Sequence, residues 1–139
     1  MRKRTDDDVA AVADANSFYY HAISSLDLSL LEQAWAHEEY VSLVGPRHVS
    51  PTIGWGNVYS YYSQTVAVLR KISVRLIEPR IHVNGTCAWV IAREEIGSDS
   101  CLKDGTPVSS RPTISTNVFE RFNGKWRMVS HHAQEIFGS

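Results

Sequence analysis

The sequence predicts an α+β fold: a cone-shaped, curved antiparallel sheet wrapped around N-terminal helices and enclosing a pocket. Apolar residues recur at helical spacing in the first half of the chain and alternate as in strands in the second half. Asn84-Gly85 and Asn123-Gly124 each stand between alternating runs, which is typical of tight hairpin turns. A chain of 139 residues without an internal repeat or linker is expected to form one domain, residues 1–139.

The first helix is predicted to begin at Thr5 or Asp6, because either side chain can cap a helix and the aspartates that follow favour its positive end. It should run for about five turns. One face of it carries, at three- and four-residue spacing, Val9, Val12, Ala13, Asn16, Tyr20 and Ile23. Asn16 lies among apolar neighbours, where it either binds the backbone or lines a pocket. Tyr19 lies at the edge of the same face, and Tyr20 lies near its centre.

A second, shorter helix is predicted after Asp27 or Ser29. Its inward side chains are Leu30, Leu31, Ala34 and Trp35. One or two short strands should follow, broken at Gly45-Pro46 and again at Pro51. His48 lies between these breaks and is expected in a solvated loop.

A third helix is predicted to begin near Ile53 or Gly54. One face of it is an apolar and aromatic stripe made of Trp55, Val58, Tyr59, Tyr62, Val66 and Leu69. Such a stripe is typical of a core. The hydroxyls of Tyr59 and Tyr62 need partners when buried, and they could instead face a ligand.

The first long hairpin contains Pro79, which implies an edge strand or a bulge at that point. Glu94 and Glu95 are adjacent in its second strand, so one of the two must face inwards. In a register without a bulge about Asn84-Gly85, Glu94 lies opposite Arg75. An exposed Arg75–Glu94 ion pair is favoured over a buried glutamate acting as a base. A bulge at Pro79 would shift this pairing.

The closing hairpin turns at Asn123-Gly124, and a type I′ turn there fixes which residues face each other. Its outward face is expected to carry a Glu120–Arg127 ion pair, with His131 on the same side. Its inward face would carry Phe119, Trp126 and Met128, followed by Ser115, Asn117, Ser130 and His132. An apolar floor that ends in a polar cluster is typical of a small-molecule pocket.

His132 is the predicted catalytic residue of that pocket. An imidazole with a pKa of about 6.5 suits proton transfer near neutral pH. Its expected neighbours, Ser115, Asn117 and Ser130, could orient the imidazole or a ligand. The alternative interpretation is a buried histidine that only orders the end of the sheet.

Composition argues against several other functions. The formal net charge of −1 gives no basis for binding nucleic acid or an anionic membrane. No apolar span is long enough to cross a bilayer, so a cytoplasmic protein is expected. Cys87 and Cys101 are too few for a disulfide scaffold; they could form a single bridge, but a reduced, partly buried pair is favoured. No metal site is expected, because the histidines lack ligand spacing and the adjacent His131 and His132 point to opposite faces.

These features resemble the SnoaL-like branch of the nuclear transport factor 2-like superfamily, which includes ketosteroid isomerase-like and polyketide cyclase-like proteins. The resemblance covers nearly the whole chain. It is carried by the long opening helix, Leu26-Asp27-Leu28 leading to Ala34-Trp35, Gly45-Pro46 after a short strand, and the closing Asn-Gly-x-Trp-Arg-Met-Val-x-His-His. It implies a curved sheet around a cavity closed by the first helices, and a homodimer formed through the outer face of the sheet.

The resemblance also implies activity without a cofactor. Tyr19 matches the donor tyrosine of the isomerases and therefore joins His132 as a catalytic candidate. The acidic base of those isomerases should fall just before the Gly-Pro turn, where this chain has Leu43, Val44 and Gly45. Isomerisation of steroids by that base is therefore not expected.

Two functions follow from the resemblance. The first is binding of a small, largely apolar molecule with a carbonyl or hydroxyl group, followed by isomerisation, dehydration or cyclisation through proton transfer. The alternative is a non-catalytic module of the same fold that dimerises or binds a ligand or partner. In that alternative the cone is filled by Trp35, Trp55, Tyr59 and Trp126.

Overall fold

Three helices precede the long strands, in the order that the sequence predicts. In the computed structural model, which describes residues 2–108 and 111–137, they are α1 (Arg2–Ser25), α2 (Leu28–Ala34) and α3 (Trp55–Val68). The predicted start of α1 at Thr5 or Asp6 is wrong, because the helix extends back through the good helix formers that precede them. Asp27 caps α2, and its Oδ1 accepts a hydrogen bond from the backbone N–H of Ser29 at 2.9 Å.

The strands are β1 (Ser42–Val44), β2 (Thr52–Ile53), β3 (Leu69–Lys71), β4 (Val74–Asn84), β5 (Cys87–Ile96), β6 (Cys101–Leu102), β7 (Thr113–Phe122) and β8 (Lys125–Glu135). Six of them form one curved sheet in the order β2-β1-β8-β7-β5-β4, while β3 and β6 pair separately. The four long strands, which include the two predicted hairpins, form an antiparallel meander, and β1 adds to β8 in parallel. The predicted α+β fold is confirmed.

The core lies between the helices and the inner face of the long strands. Near the Asn123-Gly124 end it is filled by large side chains that are almost wholly buried, among them Trp35, Phe119 and Met128. Val12 of α1 and Val58 of α3 close this region from the helical side. No helix among the described residues is long and apolar enough to span a bilayer. Both cysteines are free, half-buried thiols, as expected.

The β4–β5 hairpin differs from its predicted register in two places. Asn84 pairs with Cys87, so the two loop residues are Gly85 and Thr86 rather than Asn84 and Gly85. A bulge lies between Ile77 and Arg80, where Glu78 has a φ of 52° just before Pro79. These shifts contradict the predicted Arg75–Glu94 pair: Arg75 binds Glu95 at 2.6 Å on the exposed side, and Glu94 is buried.

The closing hairpin follows its predicted register only near its turn. Asn123 and Gly124 both have positive φ, and Phe119 lies opposite Met128 as predicted. Beyond that pair a bulge inserts Val129 into β8, so that Asn117 lies opposite His131. The predicted inward position of His132 is therefore wrong: His131 is buried on the inner face, and His132 is exposed on the outer one. Ser130 changes face with His132, and its hydroxyl lies 2.9 Å from that of Ser42.

Candidate functional site

A cavity of about 290 Å³ lies at the end of the sheet that is farthest from the Asn123-Gly124 turn. Apolar side chains of α1, α3 and the neighbouring strands make up most of its wall. Its polar lining includes Tyr19, Tyr20, Tyr62, Glu94, Thr113 and His131. This combination of an apolar wall with a few convergent polar groups is typical of a ligand site.

The secondary structure explains why these polar groups converge. Asn16 and Tyr20 are four residues apart on α1, so they project from one face of the helix toward the sheet. On the sheet, alternation along β5 turns Glu94 inward, and alternation along β7 turns Ser115 and Asn117 inward.

A continuous hydrogen-bond network joins these side chains behind the cavity wall. The Asn117 Nδ2 donates to Asn16 Oδ1 at 2.9 Å and to the Tyr20 hydroxyl at 3.0 Å. The Tyr20 hydroxyl donates to Glu94 Oε2 at 2.6 Å. The Nδ1 of His131 lies 2.6 Å from Asn117 Oδ1. The network therefore links the imidazole of His131 to the carboxylate of Glu94 through one amide and one phenol.

This network fixes the tautomer of His131. Because a carbonyl oxygen can only accept, Nδ1 carries the proton that binds Asn117, and the lone pair of the neutral ring lies on Nε2. Burial lowers the pKa of His131, and the Glu94 carboxylate opposes that effect. His131 is consequently a neutral imidazole near pH 7, with a basic nitrogen in the wall of the cavity.

Glu94 is a buried acceptor in this wall. Its Oε1 accepts a hydrogen bond from the Thr113 hydroxyl at 2.7 Å, and its Oε2 accepts the bond from Tyr20. These two donors satisfy the hydrogen-bonding needs of a buried carboxyl group. A negative charge there favours a positive charge on His131, so Glu94 would stabilise the imidazolium formed when His131 takes up a proton.

Tyr19 and Tyr62 form a second polar group in the cavity, with their hydroxyl oxygens 2.9 Å apart. Desolvation raises the pKa of both phenols, so both stay protonated. One hydroxyl donates to the other, and the accepting hydroxyl keeps a proton for a ligand. The Tyr19 ring lies 5.3 Å from that of His131, so a donor and a base line one space.

The structure separates the predicted site residues into three groups. Tyr19, Tyr20 and Tyr62 line the cavity, and Asn16 and Asn117 lie behind its wall in the hydrogen-bond network. Outside the lining, in the packed region near the closing turn and α3, are Trp35, Trp55, Tyr59, Phe119, Trp126 and Met128. His132 and Ser130 lie on the outer face of β8 because of the bulge at Val129.

Sequence reasoning missed His131 and Thr113, and it favoured an exposed position for Glu94. His131 lies beyond the bulge in β8, and Glu94 lies opposite the part of β4 beyond its bulge, where counting residues from a turn no longer gives the correct face or partner. Thr113 lies on the same face of β7 as Ser115 and Asn117, so the predicted alternation could have identified it. Pro79 was a usable signal for Glu94, since a proline inside a strand indicates a bulge. Within the described part of the chain, no three His, Cys, Asp or Glu side chains come together as a metal site requires.

The fold and this cavity define a class of protein, and the comparison with protein families agrees with it. The SnoaL-like domain family matches residues 12–134, which is most of the chain. The chain therefore belongs to the SnoaL-like domain family, within the nuclear transport factor 2-like superfamily. This is a fold that binds small molecules.

Solved structures of the same superfamily resemble this chain along its length. A proposed dehydratase of the nuclear transport factor 2-like family from Streptomyces avermitilis is 29% identical, with a TM-score of 0.84 over 96% of this chain and 99% of that one. A nuclear transport factor 2-like protein from Salmonella enterica serovar Typhimurium is 21% identical, with a TM-score of 0.80 over 92% of this chain and 90% of that one. At 21% identity, the similarity to the Salmonella protein is evidence for the fold only.

A curated relative comes from a plant. The F-box protein SKIP8 of Arabidopsis thaliana is 24% identical over 132 residues, which cover 88% of this chain and 48% of that protein. The chain thus spans about half the length of that relative.

Proposed function

We propose that this protein binds a small, largely apolar carbonyl compound in the cavity and catalyses proton transfer on it without a cofactor. The observation that carries the proposal is the position of His131, whose Nδ1 is held by Asn117 at 2.6 Å so that the basic Nε2 is the nitrogen left for a ligand. The sequence assigned this role to His132. The bulge at Val129 transfers it to the neighbouring histidine.

The chemistry uses two groups of the cavity wall. The Nε2 of His131 takes a proton from the carbon next to the carbonyl group, and the electron pair moves onto the carbonyl oxygen. The free hydroxyl proton of the Tyr19–Tyr62 pair donates to that oxygen as its charge develops. Glu94 stabilises the imidazolium. When the substrate also has a carbon–carbon double bond beyond that carbon, the enolate is a dienolate, and return of the proton to its far carbon moves the double bond and completes an isomerisation.

Dehydration is the variant that the comparisons favour, because the Streptomyces protein, 29% identical, is a proposed dehydratase. In this variant the substrate carries a hydroxyl group on the second carbon from the carbonyl. The enolate collapses to a carbon–carbon double bond, the carbon–oxygen bond breaks, and the imidazolium proton leaves with the hydroxyl as water. One histidine can serve both transfers, since it is base first and acid second.

Hydrogen–deuterium exchange tests the proton transfer without knowledge of the natural substrate. We expect the protein to speed exchange of the protons next to the carbonyl of 2-tetralone in D₂O, followed by NMR. His131→Gln should lower the protein-dependent rate at least about 100-fold, the usual contribution of a general base. His132→Gln is the matched control and should keep the rate, because that side chain is exposed on the opposite face. Equal rates in the two variants would contradict the role of His131.

A non-catalytic module of the same fold is the second candidate, and the match to an F-box protein supports it. It predicts that ligands stabilise the protein without exchange of their protons. This candidate expects aromatic side chains to fill the cone. Trp35 and Trp126 are indeed buried, but a cavity of about 290 Å³ is present beside them. Binding of 2-tetralone with no protein-dependent exchange would favour this candidate.

The homodimer predicted from the resemblance also stays a proposal. Ile91 and Ile114 lie on the outer face of adjacent strands and are each more than 40% exposed, so this face offers an apolar patch to a second copy. The cytoplasmic location is likewise a proposal.

A further inference from the structure

A second, smaller cavity of about 180 Å³ opens beside the first one. The two cavities have Gly45, Pro46, Tyr61 and Thr113 in common, so they adjoin each other. We call the smaller cavity the mouth. Thr113 lies where they meet, and its hydroxyl binds the Glu94 carboxylate inside.

The mouth is cationic, unlike the apolar cavity behind it. Arg47 follows β1, Arg111 precedes β7, and both line the mouth together with one carboxylate, that of Glu135. The Arg47 Nε and Glu135 Oε1 form an ion pair at 3.7 Å. Among the described residues that line the mouth, two guanidinium groups accompany one carboxylate, which is an excess of one positive charge.

Aromatic contacts position the rest of the mouth. The His48 ring packs edge-on against that of Tyr61, with 5.0 Å between ring centroids, and its Nδ1 accepts a hydrogen bond from the Gly45 backbone N–H at 3.1 Å. The guanidinium of Arg111 lies 5.9 Å from the centre of the Phe137 ring. Both arginines therefore stand beside an entrance whose walls are held in place.

We propose that the ligand of this site carries an anionic group, a carboxylate or a phosphate, that Arg47 and Arg111 bind at the mouth while its apolar carbonyl part enters the cavity. This inference rests on the proposed function, because it names the class of substrate for the same site. Guanidinium groups suit such a ligand, since their planar arrays of N–H donors match carboxylate and phosphate oxygens.

The charges also set the direction in which the ligand enters. An anionic group placed deep in the cavity would be close to the buried Glu94 carboxylate and would be repelled by it. The same group at the mouth is attracted by both arginines. The carbonyl end consequently points inward, to the Tyr19–Tyr62 pair and His131.

Matched probes test the inference in the chain of residues 1–139. The neutral probe is 2-acetylnaphthalene, and the anionic probes are 6-acetyl-2-naphthoate and 6-acetyl-2-naphthyl phosphate, which carry the same ketone. Dissociation constants are measured by calorimetry at low ionic strength. We expect at least one anionic probe to bind about tenfold more tightly than the neutral ketone, as hydrogen bonds to charged groups do. The preferred probe tells a carboxylate ligand from a phosphate ligand.

Variants of the two arginines locate the effect. The double variant Arg47→Gln, Arg111→Gln should bind the preferred anionic probe only as tightly as the neutral ketone. Its affinity for the neutral ketone should be unchanged. Arg75→Gln is the control, because Arg75 is an exposed arginine on β4 that pairs with Glu95 of β5 and does not line the mouth. Circular dichroism confirms that each variant is folded.

Each outcome decides one proposal. If the neutral ketone binds and neither anionic probe binds more tightly, the anionic subsite is wrong and the proposed function stands. If the advantage survives the double arginine substitution, the anion binds elsewhere and the inference is overturned. If none of the ketones binds, the proposed function itself fails, and the inference fails with it.

Discussion

Tyr20→Phe tests the hydrogen-bond network, because it removes one hydroxyl and keeps the buried ring. That hydroxyl lies 2.6 Å from Glu94 Oε2, 3.0 Å from Asn117 Nδ2 and 3.3 Å from the Ser115 hydroxyl. Among these contacts the bond to the carboxylate matters most. Its loss leaves a buried charge with Thr113 as its remaining donor.

The expected cost follows from these contacts. A hydrogen bond to a charged group contributes about 1.5–3 kcal/mol, and a neutral one contributes about 1 kcal/mol. Asn117 keeps its bond to Asn16, so only part of the neutral contribution is lost. We expect Tyr20→Phe to lower the free energy of unfolding by about 3 kcal/mol, a large share of the 5–15 kcal/mol typical of a domain. The Tm should fall by roughly 10 °C.

Urea denaturation followed by circular dichroism measures this loss. Tyr59→Phe is the control, since Tyr59 is a half-buried tyrosine outside the network, and it should change stability by less than about 0.5 kcal/mol. Adding Glu94→Gln completes a double-mutant cycle, in which we expect a coupling energy of at least about 1 kcal/mol. If Tyr20→Phe lowers the free energy of unfolding no more than Tyr59→Phe does, or if the coupling energy is near zero, the network does not stabilise the fold.

Three further predictions concern other parts of the molecule. Because the pKa of His131 in the folded chain lies below its ordinary value of 6.5, the unfolded chain takes up the proton first as the pH falls. The contribution of neutral His131 to the free energy of unfolding is therefore complete above about pH 6.5 and declines below it by up to about 1.4 kcal/mol per pH unit. Urea titrations at several pH values should show this decline in the native protein and its absence in His131→Gln. Ile114→Glu should convert a dimer to a monomer in light scattering at micromolar concentration, whereas a native protein that is already monomeric would contradict the proposed dimer. Gly124→Ala should lower stability by about 1 kcal/mol because its φ is 80°, while Gly56→Ala, with open space around it in α3, should raise stability by about 0.5 kcal/mol.

Local patterns predicted the elements of this fold well. The periodicity of α1 identified the face that carries Asn16 and Tyr20, and Asp27, one of the two predicted caps, caps α2. Asn123-Gly124 gave the closing turn and the pairs next to it. These features depend on residues that are near each other in the chain, so the sequence displays them directly.

The site was harder to predict because it depends on how distant elements are aligned. The side chains that meet at the cavity come from α1, α3, β5, β7 and β8, and their convergence depends on the register of each strand. Each long hairpin contains one bulge, and one extra residue exchanges the two faces of everything beyond it. Errors in the site were therefore errors of register.

The bulge in β8 could have been recognised from the pattern of apolar residues. In an unbulged strand Ser130, His132 and Gln134 would face the core, and Val129 and Ala133 would face outward. The bulged strand buries Val129 and Ala133 and turns all three polar residues outward, which accords better with the burial of apolar groups. The same shift turns His131 inward, where Asn117 can bind its Nδ1. Burial of two apolar side chains thus selects the register, and the register selects which of two adjacent histidines lines the cavity.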